Sequence, residues 1–156
     1  MGLFGRKKEE PIDQDMVTAM AMMVIIGAAL CEKSYDSSYM TLSFGTNIMF
    51  SLHEDSGTEC LVRGFRDASS KETKNFNINN SGTFPCTVEM YQQFKNSINP
   101  SKVDSEGLHA NTVIMNSNSS KSKKYYEAVE KKLRTMLSPS QCSKLLFNGT
   151  FISFRK

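Results

Sequence analysis

The sequence predicts an α+β domain: an N-terminal apolar helix packed on an antiparallel sheet of about four to six short strands, with two or three further helices. Three observations lead to this prediction. One long apolar run, Met16 to Cys31, is too long for a typical strand. Several short segments of β-forming residues follow, some joined by turns too short for the crossover helices of a parallel sheet. An amphipathic helical pattern then lies near the C-terminus.

The chain of 156 residues is long enough for one domain with its own core. We divide it into a disordered basic tail, residues 1–10, and a single domain, residues 11–156. Hydrophobic residues make up 39% of the chain, which argues against a wholly disordered protein. The net charge of +3 does not by itself indicate a dedicated nucleic-acid-binding protein.

The apolar run is predicted to lie in a helix from about residue 12 to about residue 33, with Pro11 in its first turn. This helix is apolar on nearly all sides, which is typical of a buried core helix or a membrane span. The run is shorter than the ~20 residues that a span requires, and acidic residues flank it. We therefore predict a core helix. The alternatives are a single membrane anchor formed by residues 16–31 and a signal peptide.

Strand patterns occur in several short segments, of which the main ones are residues 39–44, 48–53, 60–65, 112–115 and 150–154. Residues 48–53 alternate apolar and polar side chains, as a half-buried strand does. With residues 60–65 they flank a short turn that contains glycine, so the two segments are predicted to form a hairpin. Residues 100–110 are predicted to form a loop.

Three helical patterns follow the first strands. One begins near Thr83 or Pro85 and ends near residue 98, before the proline at position 100. Another, after the polar segment 116–123, has an apolar stripe formed by Tyr126, Val129 and Leu133. A short helix over about residues 139–146 is indicated by a capping box, in which a serine precedes proline and glutamine follows three residues later. Asn148 and Gly149 are typical of a turn.

Residues that carry chemistry are few. His53 and Cys60 are the one candidate nucleophile pair, but a solvent-facing strand histidine and a buried thiol are the favoured explanation. The four cysteines, at positions 31, 60, 86 and 142, lack the close spacing of a zinc site, so we expect reduced thiols. The sequence therefore predicts no catalytic, metal or cofactor-binding residues.

A basic segment near the C-terminus is the candidate interaction surface, and its cations are Lys123, Lys124, Lys131, Lys132 and Arg134. Two neighbouring tyrosines, Tyr125 and Tyr126, resemble the stacking aromatic residues of nucleic-acid-binding surfaces. Glutamates interrupt the cluster, however, and an ordinary solvated helix face explains it as well.

These observations favour a small non-enzymatic binding or interaction domain of the cytoplasm, adaptor-like or subunit-like, that recognises a protein partner or associates with itself. The main reason is that no catalytic constellation is recognisable. One alternative is a membrane-tethered accessory protein anchored by residues 16–31. The other is a weak nucleic-acid binder that uses the basic C-terminal helix.

Overall fold

The computed structural model of the chain describes residues 11–33, 39–52, 83–84, 93, 96, 103–109, 112–115 and 119–156. The helices are α1 (Gln14–Lys33), α2 (Ser119–Met136) and α3 (Pro139–Cys142). The strands are β1 (Tyr39–Phe44), β2 (Ile48–Leu52), β3 (Val103–His109), β4 (Thr112–Met115), β5 (Leu146–Phe147) and β6 (Phe151–Arg155). The predicted tail, the segment 60–65 and most of the helix predicted after Thr83 lie outside the described residues.

The strands form one sheet in the order β3-β4-β2-β1-β6-β5, and every neighbouring pair is antiparallel. Helices lie beside this sheet and do not connect parallel strands. The predicted α+β class with an antiparallel sheet is therefore confirmed. The pairing of β1 with β6 brings together two segments that are more than 100 residues apart in the chain.

The two faces of the central strands differ because successive side chains of a strand point to opposite sides. The inner face faces α1, and its side chains are all buried: Met40, Leu42, Phe44, Ile48, Phe50, Leu52, Ile152 and Phe154. They meet across strands in register, for example Leu42 opposite both Phe50 and Ile152. The outer face carries mainly hydroxyl side chains, together with aromatic, apolar and charged ones.

Helix α1 packs against β1, β6 and α2. Its apolar residues from Met16 to Ala29, and Cys31, are buried on every side of the helix. Gly27 lies where the helix comes closest to the sheet: a Cβ atom there would lie 2.8 Å from Cζ of Phe50 and 3.5 Å from Cγ of Met40. No helix in the described part of the chain is long and apolar enough to cross a membrane.

The start of α1 differs from the prediction. Pro11 precedes the helix, and Asp13 is the residue that caps it. The Oδ1 atom of Asp13 accepts hydrogen bonds from the backbone N–H groups of Asp15 (2.9 Å) and Met16 (3.2 Å). A side-chain oxygen at this position satisfies N–H groups that the first helical turn leaves without partners. The backbone N–H of Asp13 itself donates to the hydroxyl of Tyr125, at 3.0 Å, and so joins the helix start to α2.

The prediction that residues 48–53 form a hairpin with residues 60–65 is wrong, because β2 has other partners. A strand has two edges, and those of β2 are occupied by β1 and by β4. Residues 103–109, predicted to be part of a loop, form strand β3 with a shift of register between Asp104 and His109. Its polar, glycine-containing sequence hides the strand, because the pairing with β4 decides its conformation and local propensity does not.

The C-terminal region confirms two local predictions. The capping box of α3 is present, with Ser138 and Gln141 exchanging hydrogen bonds of 2.8 and 3.2 Å. The turn at Asn148 and Gly149 is also present, and Gly149 has a φ of 89°, a conformation that glycine adopts without strain. Helix α3 is shorter than predicted, because the two-residue strand β5 pairs with β6 soon after it. Helix α2 begins at Ser119, inside the polar segment 116–123 after which the helix was predicted to begin.

Candidate functional site

The predicted basic surface lies on α2 and carries charges of both signs. Lys123, Lys131 and Arg134 are exposed and project from one side of the helix at about 100° per residue. The acidic residues Glu127 and Glu130 share that side. Arg134 is engaged: its Nε donates to Oε2 of Glu130 at 3.0 Å, and its guanidinium carbon lies 4.5 Å from the centre of the Phe147 ring.

The other two cations of this surface are less well placed. Lys132 is exposed but lies toward the flank of the helix, and Lys124 is half-buried. The helix therefore does not gather the five predicted residues into one uninterrupted positive patch. Exposed ion pairs such as that between Glu130 and Arg134 contribute little stability, about 0.3–0.5 kcal/mol. The interaction role of this surface stays a prediction.

The outer face of the sheet offers a second surface, which the sequence analysis did not single out. Among the described residues two large apolar side chains are exposed, Met49 (36%) and Leu146 (54%), and both belong to this face. Met49 is opposite Ser43 in the pairing of β1 with β2, and Leu146 is opposite Ser153 in the pairing of β5 with β6. Strands β1 and β6 lie between these two side chains, so Met49 and Leu146 are separate exposed apolar positions on one sheet face.

An open groove of about 680 Å³ runs over the outer face along β1, β6 and β5. Its lining consists of Tyr39, Thr41, Ser43, Lys144, Leu146, Phe151, Ser153 and Arg155. Three hydroxyl side chains form the floor, aromatic and aliphatic side chains flank them, and two cations are present. The volume falls within the range of ligand sites, but the groove is open along its length, as is usual where a protein segment binds to a surface.

Thr41, in the floor of the groove, is 8% exposed, and its Oγ1 atom is buried without a hydrogen-bond partner. Ser153, opposite Thr41 in the register, is 9% exposed. A buried hydroxyl without a partner costs about 1–3 kcal/mol of desolvation. The hydroxyl of Thr41 therefore lies beneath the floor of the groove with an unmet hydrogen bond, out of reach of water.

The two cations come from different elements. Arg155 extends from β6, and its guanidinium carbon lies 5.4 Å from the centre of the Tyr39 ring, where the ring face attracts a cation. Lys144 follows α3, and its Nζ donates to Oγ1 of Thr83 at 3.2 Å. Within the part of the chain that the structure describes, neither cation forms an ion pair.

One short segment holds the neighbourhood of Lys144 in place. The carboxylate of Glu32, near the end of α1, accepts hydrogen bonds from the backbone N–H groups of Thr83 and Phe84, both at 3.1 Å. Gln141 donates from Nε2 to the carbonyl of Thr83 at 2.8 Å. Phe84 is buried and packs edge-to-face on Phe154, with ring centres 5.3 Å apart. The end of α1, the region of α3 and strand β6 are thus joined beside the groove.

The other sequence candidates are the histidine and cysteine pair and the remaining cysteines. His53 and Cys60 lie outside the described residues. Cys31 and Cys142 are buried and form no disulfide. No group of three or more potential metal ligands occurs among the residues with a described placement.

The outer face escaped the sequence analysis because its residues come from three distant segments. The alternation of apolar and polar residues over 48–53 predicts a half-buried strand there, but it does not say which strands lie beside it. Nothing in one sequence shows that Thr41 and Ser153 are neighbours, or that Lys144 lies beside β6.

Comparisons with models of protein families, with curated proteins and with solved structures found no match to this chain.

Proposed function

We propose that this chain is a small non-enzymatic binding domain of the cytoplasm, adaptor-like or subunit-like, which binds a protein partner through the outer face of its sheet. One observation carries the proposal: the exposed large apolar side chains of the described residues, Met49 and Leu146, both lie on that face. The groove between β1, β6 and β5 adds aromatic side chains and cations, which protein interfaces use as anchors.

We also propose how the fold supports this surface. The N-terminal apolar helix is the stable core element on which four to six short strands pack, so that the sheet presents one rigid face outward. A chain that begins at Lys33 would lack this helix and would expose the inner face. We expect such a chain to unfold or aggregate, as judged by circular dichroism and light scattering. A soluble, folded product would contradict this part of the proposal.

The binding surface can be tested by affinity capture with the full chain and two sets of variants. The first set, Met49→Ser and Leu146→Ser, removes apolar area from the outer face without a change of charge. We expect a partner held by the wild-type chain at a defined stoichiometry to be lost from these variants, because apolar anchors carry most of the binding free energy of an interface.

The second set, Lys123→Gln and Lys131→Gln, changes the competing surface on α2. Retention of the partner by these variants, with its loss from the first set, would support the outer face. The opposite pattern would assign binding to α2. Circular dichroism of every variant shows whether the fold is kept. A turnover reaction that depends on His53 or Cys60 would contradict the non-enzymatic assignment.

A further inference from the structure

We infer that the partner segment in the groove is acidic, with carboxylates on either side of an apolar side chain. This inference rests on the proposed function and deepens it. The groove combines exposed cations, hydroxyl groups and apolar walls, and an acidic segment with an apolar anchor has the matching chemistry.

The charges of the groove are the first reason. Lys144 and Arg155 line it, and Lys156 lies in the adjoining hollow with them. Among the described residues of that hollow, Glu32 carries a side-chain carboxylate, and its two oxygens already accept the N–H groups of Thr83 and Phe84. Because no described carboxylate pairs with Lys144 or Arg155, both remain available to an incoming anion.

The placement of Arg155 is the second reason. Its contact with the Tyr39 ring limits the side-chain conformations that the guanidinium explores before binding. A side chain that is ordered in advance loses less conformational entropy when it binds. A guanidinium also matches a carboxylate geometrically, because two parallel N–H groups can donate to its two oxygens.

The floor and walls of the groove are the third reason. Hydroxyl groups of Ser43 and Ser153 donate hydrogen bonds to carboxylate oxygens as readily as to water. Thr41 lies opposite Ser153 and two residues before Ser43 on the same face of β1. Phe151 and Leu146 form apolar walls on which an aliphatic or aromatic side chain packs. The exposed fraction of Leu146, 54%, is apolar area that such a side chain would cover.

Other occupants fit less well. A second copy of the chain, bound face to face, would bring Lys144 and Arg155 close to the same cations of its partner, and like charges repel. A nucleic acid would be attracted by the cations, but the affinity for a phosphate backbone grows with the number of phosphates that are neutralised, and a groove with two or three cations beside aliphatic walls neutralises few.

The test uses the isotopically labelled full chain and nuclear magnetic resonance, which detects weak binding. The probes are three: an acetylated peptide that alternates glutamate and leucine, a peptide that alternates lysine and leucine, and a short single-stranded DNA. We expect the glutamate peptide to shift the backbone amides of Thr41, Ser153 and Arg155. We expect its affinity to fall as sodium chloride rises from 50 to 500 mM, because salt screens exposed charges.

Two charge variants measure the contribution of each cation. Lys144→Gln and Arg155→Gln should each raise the dissociation constant of the glutamate peptide by about 1.5- to fivefold, the range expected of exposed charge pairs. The same change at Lys131 tells whether the peptide uses α2 instead; we expect no effect there. Equal binding of the lysine peptide, shifts confined to α2, or stronger binding of DNA at the same amides would overturn the inference.

The outcome separates this inference from the proposed function. Suppose that the Met49→Ser and Leu146→Ser variants lose the partner while Lys144→Gln and Arg155→Gln keep it with unchanged affinity. The outer face would then be the binding surface, and the acidic character of the partner would be wrong. If the Met49→Ser and Leu146→Ser variants also keep the partner, the proposed function itself fails.

Discussion

The inner and outer faces of the sheet are built from the same strands but differ in every physical respect. On the inner face, Leu42 and its neighbours are large, apolar and fully covered by α1. On the outer face, one residue away in each strand, Thr41 and Ser43 are small and polar, and the larger side chains near them are partly exposed. The comparison teaches that the alternation within a strand serves stability on one side and leaves recognition to the other.

The two faces should therefore respond differently to the same kind of change. Loss of volume on the inner face removes buried contacts and leaves a cavity, so it costs stability. Loss of volume on the outer face removes surface that water already reaches, so it should affect binding while stability stays nearly unchanged. A change at a buried residue is therefore best compared with the same kind of change at a matched residue that lies elsewhere in the fold.

The largest expected effect is that of Phe50→Ala on the inner face. The Phe50 side chain is 1% exposed and lies against Gly27 of α1. Truncation of a buried phenylalanine lowers the free energy of unfolding by about 3–5 kcal/mol. Met49→Ala, one residue earlier and on the outer face, should change it by less than about 0.5 kcal/mol. Urea denaturation of both variants measures the difference, and equal effects would show that the two faces are not distinct.

The next effect concerns the space between α1 and the sheet. A Cβ atom at Gly27 would lie within 3.2 Å of two atoms of the buried Phe50 ring, which has no room to move away. We expect Gly27→Val to destabilise the protein by about 1–3 kcal/mol, the usual cost of an overpacked core. Gly45→Ala is the control, because a Cβ atom there has no neighbour within 4 Å. Its midpoint of thermal unfolding should stay within a few degrees of that of the wild type.

How far the sequence predicted the structure depends on the range of the interactions. The local elements were predictable: the bounds of β1, the capping box of α3 and the turn at Gly149 follow from nearest-neighbour chemistry. The apolar periodicity of α2 also identified its buried side, which includes Val129 and Leu133.

The strand pairings were not predictable, because they join segments that are far apart in the chain. The sequence placed the partner of β2 at residues 60–65, the nearest strand-like segment, whereas β2 pairs with β4, more than 60 residues later. Strand β3 carries aspartate, serine, glutamate and glycine, and only its pairing with β4 makes it a strand. The groove on the outer face depends on the pairing of β1 with β6, so a site built across distant strands stayed hidden too.

The third prediction compares two adjacent tyrosines of α2. The hydroxyl of Tyr125 accepts a hydrogen bond from the N–H of Asp13. The buried hydroxyl of Tyr126 forms no hydrogen bond of good geometry, although Glu130 and the backbone of Gly149 lie close to it. The ring of Tyr126 packs edge-to-face on Phe44. We expect Tyr126→Phe to stabilise the protein by about 1 kcal/mol, because it removes a buried polar group without a partner. Tyr125→Phe should destabilise it by about the same amount, because the hydrogen bond is lost. Denaturant midpoints with opposite shifts are the expected result.

The same pair predicts a dependence on alkaline pH. Burial raises the pKa of Tyr126 above its ordinary value of 10.0, so the folded state holds this proton more tightly than the unfolded state does. Stability is therefore unaffected below pH 10 and falls as the pH rises from 10 through the folded pKa. Tyr126→Phe should lose stability less steeply above pH 10 than the wild type. Lysines also titrate there, but they do so in both proteins, and parallel curves would contradict the prediction.

The smallest effect on stability separates the two faces most sharply. Thr41, like Tyr126, has a buried hydroxyl without a partner, but it lies in the floor of the groove. Thr41→Val keeps the shape, and we expect it to raise the free energy of unfolding by less than about 1 kcal/mol. The two stabilised variants should then diverge in binding. Tyr126→Phe should bind the glutamate peptide as the wild type does. Thr41→Val should bind it more weakly, since a rotation of the Thr41 side chain would bring its hydroxyl to a bound carboxylate. Unchanged binding by both variants would mean that the Thr41 hydroxyl is a packing defect of the sheet and has no part in recognition.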